Sequence, residues 1–206
     1  MVRVYGRADS SNVQKVMWIS AELGVEVERI DIGGKFGGNR EPEYLRKNPN
    51  GLVPTLEDGD LILWESHAIV RYLCEKYGPG LWYPVDPARR GLANQWMDWA
   101  LSTLNAPMMP IFLGLIRTPP EKRDIAGIEA ARKKAADCFT LVEAQLADRP
   151  FLTGDTPTTA EIAIGPNVHR WHTLDIEIPD LPKVRAYYDR LAEIPAYREH
   201  MMLPLT

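Results

Sequence analysis

Residues 78–87, GPGLWYPVDP, hold three prolines and two glycines and separate two stretches of unlike pattern. Proline fixes φ and lacks an N–H, and glycine resists ordering, so such a run is a linker and not an element. Upstream of it strand and helix signals alternate; downstream the periodicity is helical throughout. The chain is therefore expected to fold as two units, an α/β domain over 1–79 and an all-α domain over 88–206, joined by 80–87. Prolines follow the same division, with Pro42, Pro49, Pro54 and Pro79 the only four before residue 83 and 13 of the 17 after it.

In the first unit, residues 2–5 (VRVY) favour a strand. Val13, Val16, Met17, Ser20 and Leu23 then recur at helical spacing before Gly24. Residues 25–32 return to β-type composition, and a short helix is expected near Pro42. Two apolar runs, 53–56 and 61–64, flank Asp58-Gly59, a strong hairpin signal. Residues 65–77 read as a helix. In the second unit, 88–116 form one long helical segment that Pro107 and Pro110 should kink, 121–147 form another, and 158–174, 181–192 and 195–202 supply two or three more.

An apolar fraction of 45% excludes wholesale disorder, and 206 residues suffice for a sizeable core. Twenty-four basic against 28 acidic residues give a net charge of −4, which offers no general attraction to nucleic acid or an anionic membrane. No run reaches about 18 uninterrupted apolar residues. Two cysteines, Cys74 and Cys138, make no disulfide framework or metal spacing, and the first residues lack a secretory apolar segment. A soluble, cytoplasmic protein without nucleic-acid, membrane or metal partners is the expectation.

Three segments of the first unit carry candidate chemistry. Ser10-Ser11-Asn12 stands where the first strand passes into the first helix, a place for an ordinary N-cap or, at a strand's C-terminal end, for a ligand. Val53-Pro54 interrupts an apolar run with a residue that cannot donate to a ladder; a turn, or a cis bond baring the Val53 backbone, would account for it. Glu65-Ser66 opens the third helix, where free N–H groups and a hydroxyl suit a carboxylate and Glu65 suits an ammonium. Taken alone, each piece reads more commonly as capping or turn chemistry than as a ligand site. The glycine-rich 33–38 lacks a phosphate-loop register, His169-x-x-His172 has no evident third metal ligand, Thr158-Thr159-Ala160-Glu161 fits a capping box, and Cys74 falls on an apolar helix face.

Taken in order and spacing, NPNGLVPTLEDGDLILWESHAIVRYL resembles the glutathione-binding half of the cytosolic glutathione S-transferases. The likeness extends through FLTGDTPTTAEIAIGP and is strongest to bacterial members whose first helix opens with serine and asparagine, as in SSNVQKV. It implies a thioredoxin-like first domain, a helical second domain and glutathione as co-substrate. By position it implies Ser10 first, Asn12 second and Ser11 as an alternative at the thiolate. Val53 before a cis Pro54 would pair with the cysteinyl backbone, Glu65 and Ser66 would hold the γ-glutamyl head, and Asn39 or Lys35 the glycyl carboxylate. The resemblance also implies a homodimer and a pocket for a small hydrophobic electrophile, with Trp96, Trp99, Met108, Phe112 and Trp171 as candidates. Glu161 stands where the family usually has aspartate. The implied reaction is conjugation or dehalogenation; a glutathione-dependent disulfide reductase or peroxidase, or a non-catalytic binding scaffold, are the alternatives.

Overall fold

A computed structural model describes all of residues 1–206 and groups them into two compact units, Met1–Val85 with Pro195–Leu203, and Asp86–Ile194 with Pro204–Thr206. The first unit runs β1 (Val2–Tyr5), α1 (Ser11–Glu22), β2 (Val27–Ile30), α2 (Pro42–Lys47), β3 (Thr55–Asp58), β4 (Leu61–Trp64) and α3 (Ser66–Tyr77). Its sheet has the order β2-β1-β3-β4, with β1 parallel to β2 across the α1 crossover and the other neighbours antiparallel. This is the expected thioredoxin-like arrangement. Pro54 lies immediately before β3, outside the ladder, so its missing N–H costs no pairing. Asp58 pairs with Leu61 across the hairpin, and Gly59 takes the left-handed conformation (φ 62°) that the two-residue turn demands.

Val13, Val16, Trp18 and Ile19 of α1 are fully buried, as are Ile69, Val70 and Leu73 of α3. Here the structure departs from the expected boundary. α9 (Pro195–Met201), assigned from sequence to the helical domain, belongs to the first unit and packs on α1. Trp18 meets Tyr197 edge-to-face at 5.0 Å and Trp82 at 5.6 Å, so three aromatic side chains close this side of α1.

The second unit contains α4 (Pro87–Trp99), α5 (Asn105–Phe112), α6 (Ile125–Gln145), α7 (Thr159–Thr173) and α8 (Pro182–Glu193). Helix continues across residues 87–117, but wide π turns at Ala100–Leu104 and Leu113–Arg117 flank the prolines expected to kink it. Pro107 and Pro110 cannot donate to the preceding turn, and a looser turn on each side accommodates them. By length and mean hydropathy (1.4 over its best window) this stretch could cross a membrane. A third of that window is buried, and Met97, Leu104, Met108 and Ile111 are fully buried in the packing against α6 and α7.

Candidate functional site

Two close approaches draw the three segments together. The Ser66 hydroxyl, at the first turn of α3, donates to Asn12 Oδ1 of α1 across 3.3 Å. Gly6, at the end of β1 with φ 154°, lies so near α1 and the Val53 loop that a Cβ there would stand 2.4 Å from Val13 Cγ2 and 3.1 Å from Val53 Cβ. Any side chain at residue 6 would push these segments apart. The N-termini of α1 and α3, with their outward N–H groups, thus sit beside the Val53 backbone.

Ser10 is the N-cap residue of α1, with extended φ and ψ, yet its hydroxyl makes no cap bond. Plain helix capping therefore does not account for it. Ser11 and Asn12 occupy the first two helical positions, half-buried and exposed respectively.

The 48–53 loop is held by its own polar groups. Asn48, almost fully buried, donates to the Leu52 carbonyl (2.9 Å) and accepts from the Asn50 backbone N–H (3.1 Å). The Tyr44 hydroxyl adds a bond to the same carbonyl at 2.6 Å. With Leu52 so fixed, Val53 presents an N–H and a C=O that make no hydrogen bond within the chain, ahead of a cis Val53–Pro54 bond. A ligand backbone can pair with both.

Glu65 is the one non-glycine residue with positive φ (73°, ψ 112°). An L-residue there costs on the order of 1–3 kcal/mol, and such residues concentrate at ligand sites. The strain turns β4 directly into α3 and leaves the Glu65 carboxylate exposed beside the buried Ser66. Glu65→Gly should accordingly raise stability by about 1 kcal/mol in chemical denaturation while removing an anionic contact for the ligand. A glycine variant no more stable than the parent would disprove the strain.

The candidates for a ligand carboxylate divide. Asn39 donates its amide to the Gly51 carbonyl at 2.8 Å, so it braces the Val53 loop, whereas Lys35 is exposed, its ammonium 5.1 Å from the Phe36 ring centroid. Arg40, which donates to the Asn50 carbonyl at 3.3 Å, is a neighbouring cation that sequence reasoning did not single out.

Beneath Asn12 lies a pair that sequence reasoning missed. Lys15, only 2% exposed, donates to Asn12 Oδ1 at 3.2 Å and lies 3.1 Å from His67 Nε2. Burial first, then the charges of Lys15 and Arg71, push the His67 imidazole down to about 2, so it is neutral and accepts from the ammonium. Its Nδ1 is buried without a partner. An imidazole charged in the unfolded chain but neutral in the fold removes stability as pH falls below its unfolded value near 6.5. The stability advantage of the parent over His67→Gln is therefore expected to shrink by about 2 kcal/mol between pH 7 and pH 5, read from paired denaturation curves. A constant difference would mean that His67 is charged in the fold.

Of the proposed electrophile contacts, Trp96, Met108, Phe112 and Trp171 are buried in the helical unit and Trp99 is half-buried. Trp171 stacks on Phe139 at 4.5 Å, and the Arg170 guanidinium lies 3.9 Å over Phe112. The exposed large apolar side chains of the long helix are Leu92, Leu101, Met109 and Leu113. His169 and His172 are both engaged with Tyr188, the first by a 3.0 Å hydrogen bond and the second by stacking at 4.8 Å. Burial pushes the Cys74 thiol up to about 12 and also raises that of Cys138, so neither is a ready thiolate.

A thioredoxin-like unit whose cis-proline loop and two helix N-termini converge, followed by a unit of helices, defines the class of thiol-peptide-binding enzymes with a helical second domain. Residues 1–75 match the family model of the glutathione S-transferase N-terminal domain and 125–190 that of its C-terminal domain. The chain belongs to the glutathione S-transferase family. Glutathione S-transferase GstB of Escherichia coli K12 is 42% identical over the full length of both chains. Glutathione S-transferase 4 of Zea mays is 31% identical, covering 95% of this chain and 89% of the relative. Among solved structures, the theta class enzyme of Xanthomonas axonopodis pv. citri with glutathione bound has a TM-score of 0.96 and 44% identity, covering 100% of this chain and 99% of the other.

Proposed function

We propose that the first unit binds glutathione, ionises its thiol and directs the thiolate at a small hydrophobic electrophile, in a conjugation or a dehalogenation. The observation that carries this reading is the convergence of polar groups around one place: the Val53 N–H and C=O that pair with nothing in the chain, the Ser10 hydroxyl that makes no cap bond, the Asn12 amide and the strained Glu65 beside Ser66. Val53 pairs with the cysteinyl backbone. Glu65 takes the γ-glutamyl ammonium, and Ser66 with the α3 N-terminus takes its carboxylate. Lys35 meets the glycyl carboxylate.

A free thiol has a pKa of about 8.5 and only a few per cent of thiolate at neutral pH. Donors aimed at the sulfur lower that value, each unit being worth about 1.4 kcal/mol. Ser10, Asn12 and the α1 N-terminus are those donors, and the chain's own cysteines take no part. In the helical unit, Leu101, Met109 and Leu113 are exposed apolar side chains, whereas Met108 and Phe112 are buried. The enzyme acts in the cytoplasm, where two free cysteines stay reduced. It acts as a homodimer, for which the exposed Leu61, Ile62 and Trp64 of β4 offer apolar contact.

Calorimetry with glutathione tests the binding step. Saturable binding that weakens about tenfold or more in Ser66→Ala, a loss of at least 1.4 kcal/mol, is expected; no heat with the parent protein would discard the reading. Turnover on haloalkyl and haloaryl substrates in preference to small disulfides separates transfer from reduction.

A further inference from the structure

We propose that Lys15 is a positioning residue for the thiolate, fixing the Asn12 amide so that its NH₂ end, and not its oxygen, faces the sulfur. The inference rests on the glutathione-binding reading above and goes beyond it by assigning a role to a buried residue that touches neither glutathione nor electrophile.

A side-chain amide has two ends of similar shape and opposite hydrogen-bonding character, and its neighbours decide which end points where. Lys15 decides it here. An ammonium has three donors and no acceptor, so the Asn12 atom 3.2 Å from Nζ must be the oxygen. The Ser66 hydroxyl donates to the same oxygen from α3 at 3.3 Å. Lys15 keeps its hold on Oδ1 when the Ser66 hydroxyl turns to the ligand carboxylate, so Nδ2 points away from the lysine, and Asn12 is exposed at the second position of α1, two residues after Ser10. Two N–H groups then reinforce the Ser10 hydroxyl and the helix N-terminus. The opposite rotamer would aim a carbonyl lone pair at an anion and oppose its formation.

Lys15 is itself fixed. Its Nζ lies 3.1 Å from His67 Nε2, which as a neutral ring nitrogen accepts the second donor. The charged and titratable groups facing this cluster are Lys15 on α1 and His67 and Arg71 on α3. A lysine that is 2% exposed gives up hydration, and a role in surface solvation does not explain it. Orienting an amide at the site does.

The experiment compares Lys15→Met, Asn12→Ala, the double variant and Asn12→Asp. Readouts are the bound-thiol pKa, from the ultraviolet absorbance of the thiolate as pH is varied, and kcat and KM for glutathione. Lys15→Met is expected to raise the bound-thiol pKa by about one unit and to lower turnover at neutral pH about tenfold, with KM for glutathione changed less than twofold. In the Asn12→Ala background it should add nothing, because the group it orients is gone. Asn12→Asp keeps an oxygen for Lys15 and Ser66 but replaces the NH₂ with a second oxygen, and should raise the thiol pKa at least as far as Asn12→Ala. This variant keeps the proposal open to refutation even if Lys15→Met does not fold.

A folded Lys15→Met protein with an unshifted thiol pKa would overturn the proposal. So would effects of Lys15→Met and Asn12→Ala that multiply, since the lysine would then act by its charge and not through the amide. An Asn12→Asp protein with the parent's thiol pKa would do the same. Failure of the parent to bind glutathione at all removes the underlying reading, and calorimetry separates that result from these.

Discussion

Glu161→Ala is expected to destabilise the protein by about 4 kcal/mol, measured by chemical denaturation, because it strips an acceptor from several buried donors at once. Glu161 is fully buried in the first turn of α7. One oxygen accepts the Thr158 backbone N–H at 2.6 Å and the Thr158 hydroxyl at 3.2 Å. The other accepts the Leu152 N–H at 2.8 Å, with the Tyr187 hydroxyl at 3.5 Å. The carboxylate thus closes the capping box of α7, anchors the preceding loop and reaches α8. Each orphaned buried donor costs about 1–3 kcal/mol, and alanine leaves at least the two backbone N–H groups unpaired.

Burial pushes the Glu161 carboxyl up to about 7 against the pull of these donors. The fold then holds a proton that the unfolded chain releases above about 4.5, so stability from this group falls as pH rises through that interval. Glu161→Asp should cost less than alanine, since its shorter arm can keep the Thr158 cap. A loss under about 1 kcal/mol for alanine would show that water replaces the carboxylate without penalty.

Features set by neighbours in the chain were legible before any coordinates. Asp58-Gly59 marks a hairpin because a two-residue turn needs a positive φ that glycine supplies, and Thr158 with Glu161 reads as a capping box because both partners lie within one turn. The order of strand and helix signals around the 78–87 linker was legible for the same reason. Pro54 could be placed outside a ladder from its missing N–H, but X–Pro bonds are trans in all but about 5–6% of cases, so the cis geometry came from family resemblance alone.

What sequence left hidden depends on contacts between distant elements. Lys15 carries no local sign of burial; it is buried because His67, on a helix that begins fifty residues later, supplies an acceptor. α9 is helical by pattern, but its place against Trp18 follows from the fold of the first unit. Met108 is buried and Met109 exposed because successive helical residues are rotated by about 100°, and the π turn at Ala100–Leu104 shifts that phase just upstream.

Ser10→Ala is expected to raise the pKa of bound glutathione by one to two units and so to cut turnover at neutral pH about 10- to 100-fold. Activity should recover toward that of the parent as pH is raised through the new thiol pKa, because the lost donor affects ionisation and not the reactivity of the thiolate once formed. An N-cap serine usually contributes about 1 kcal/mol through its side-chain bond to the first turn. Ser10 makes no such bond, so the alanine variant should melt within a degree or two of the parent, and the kinetic loss cannot be charged to unfolding. Ser11→Ala is the control: its hydroxyl starts from the first helical position, half-buried, and its loss should leave the bound-thiol pKa within a few tenths of a unit. If Ser11→Ala raised the thiol pKa and Ser10→Ala did not, the sulfur would lie one residue further along α1. Asn12 would then be its sideways neighbour and not a second donor aimed at it.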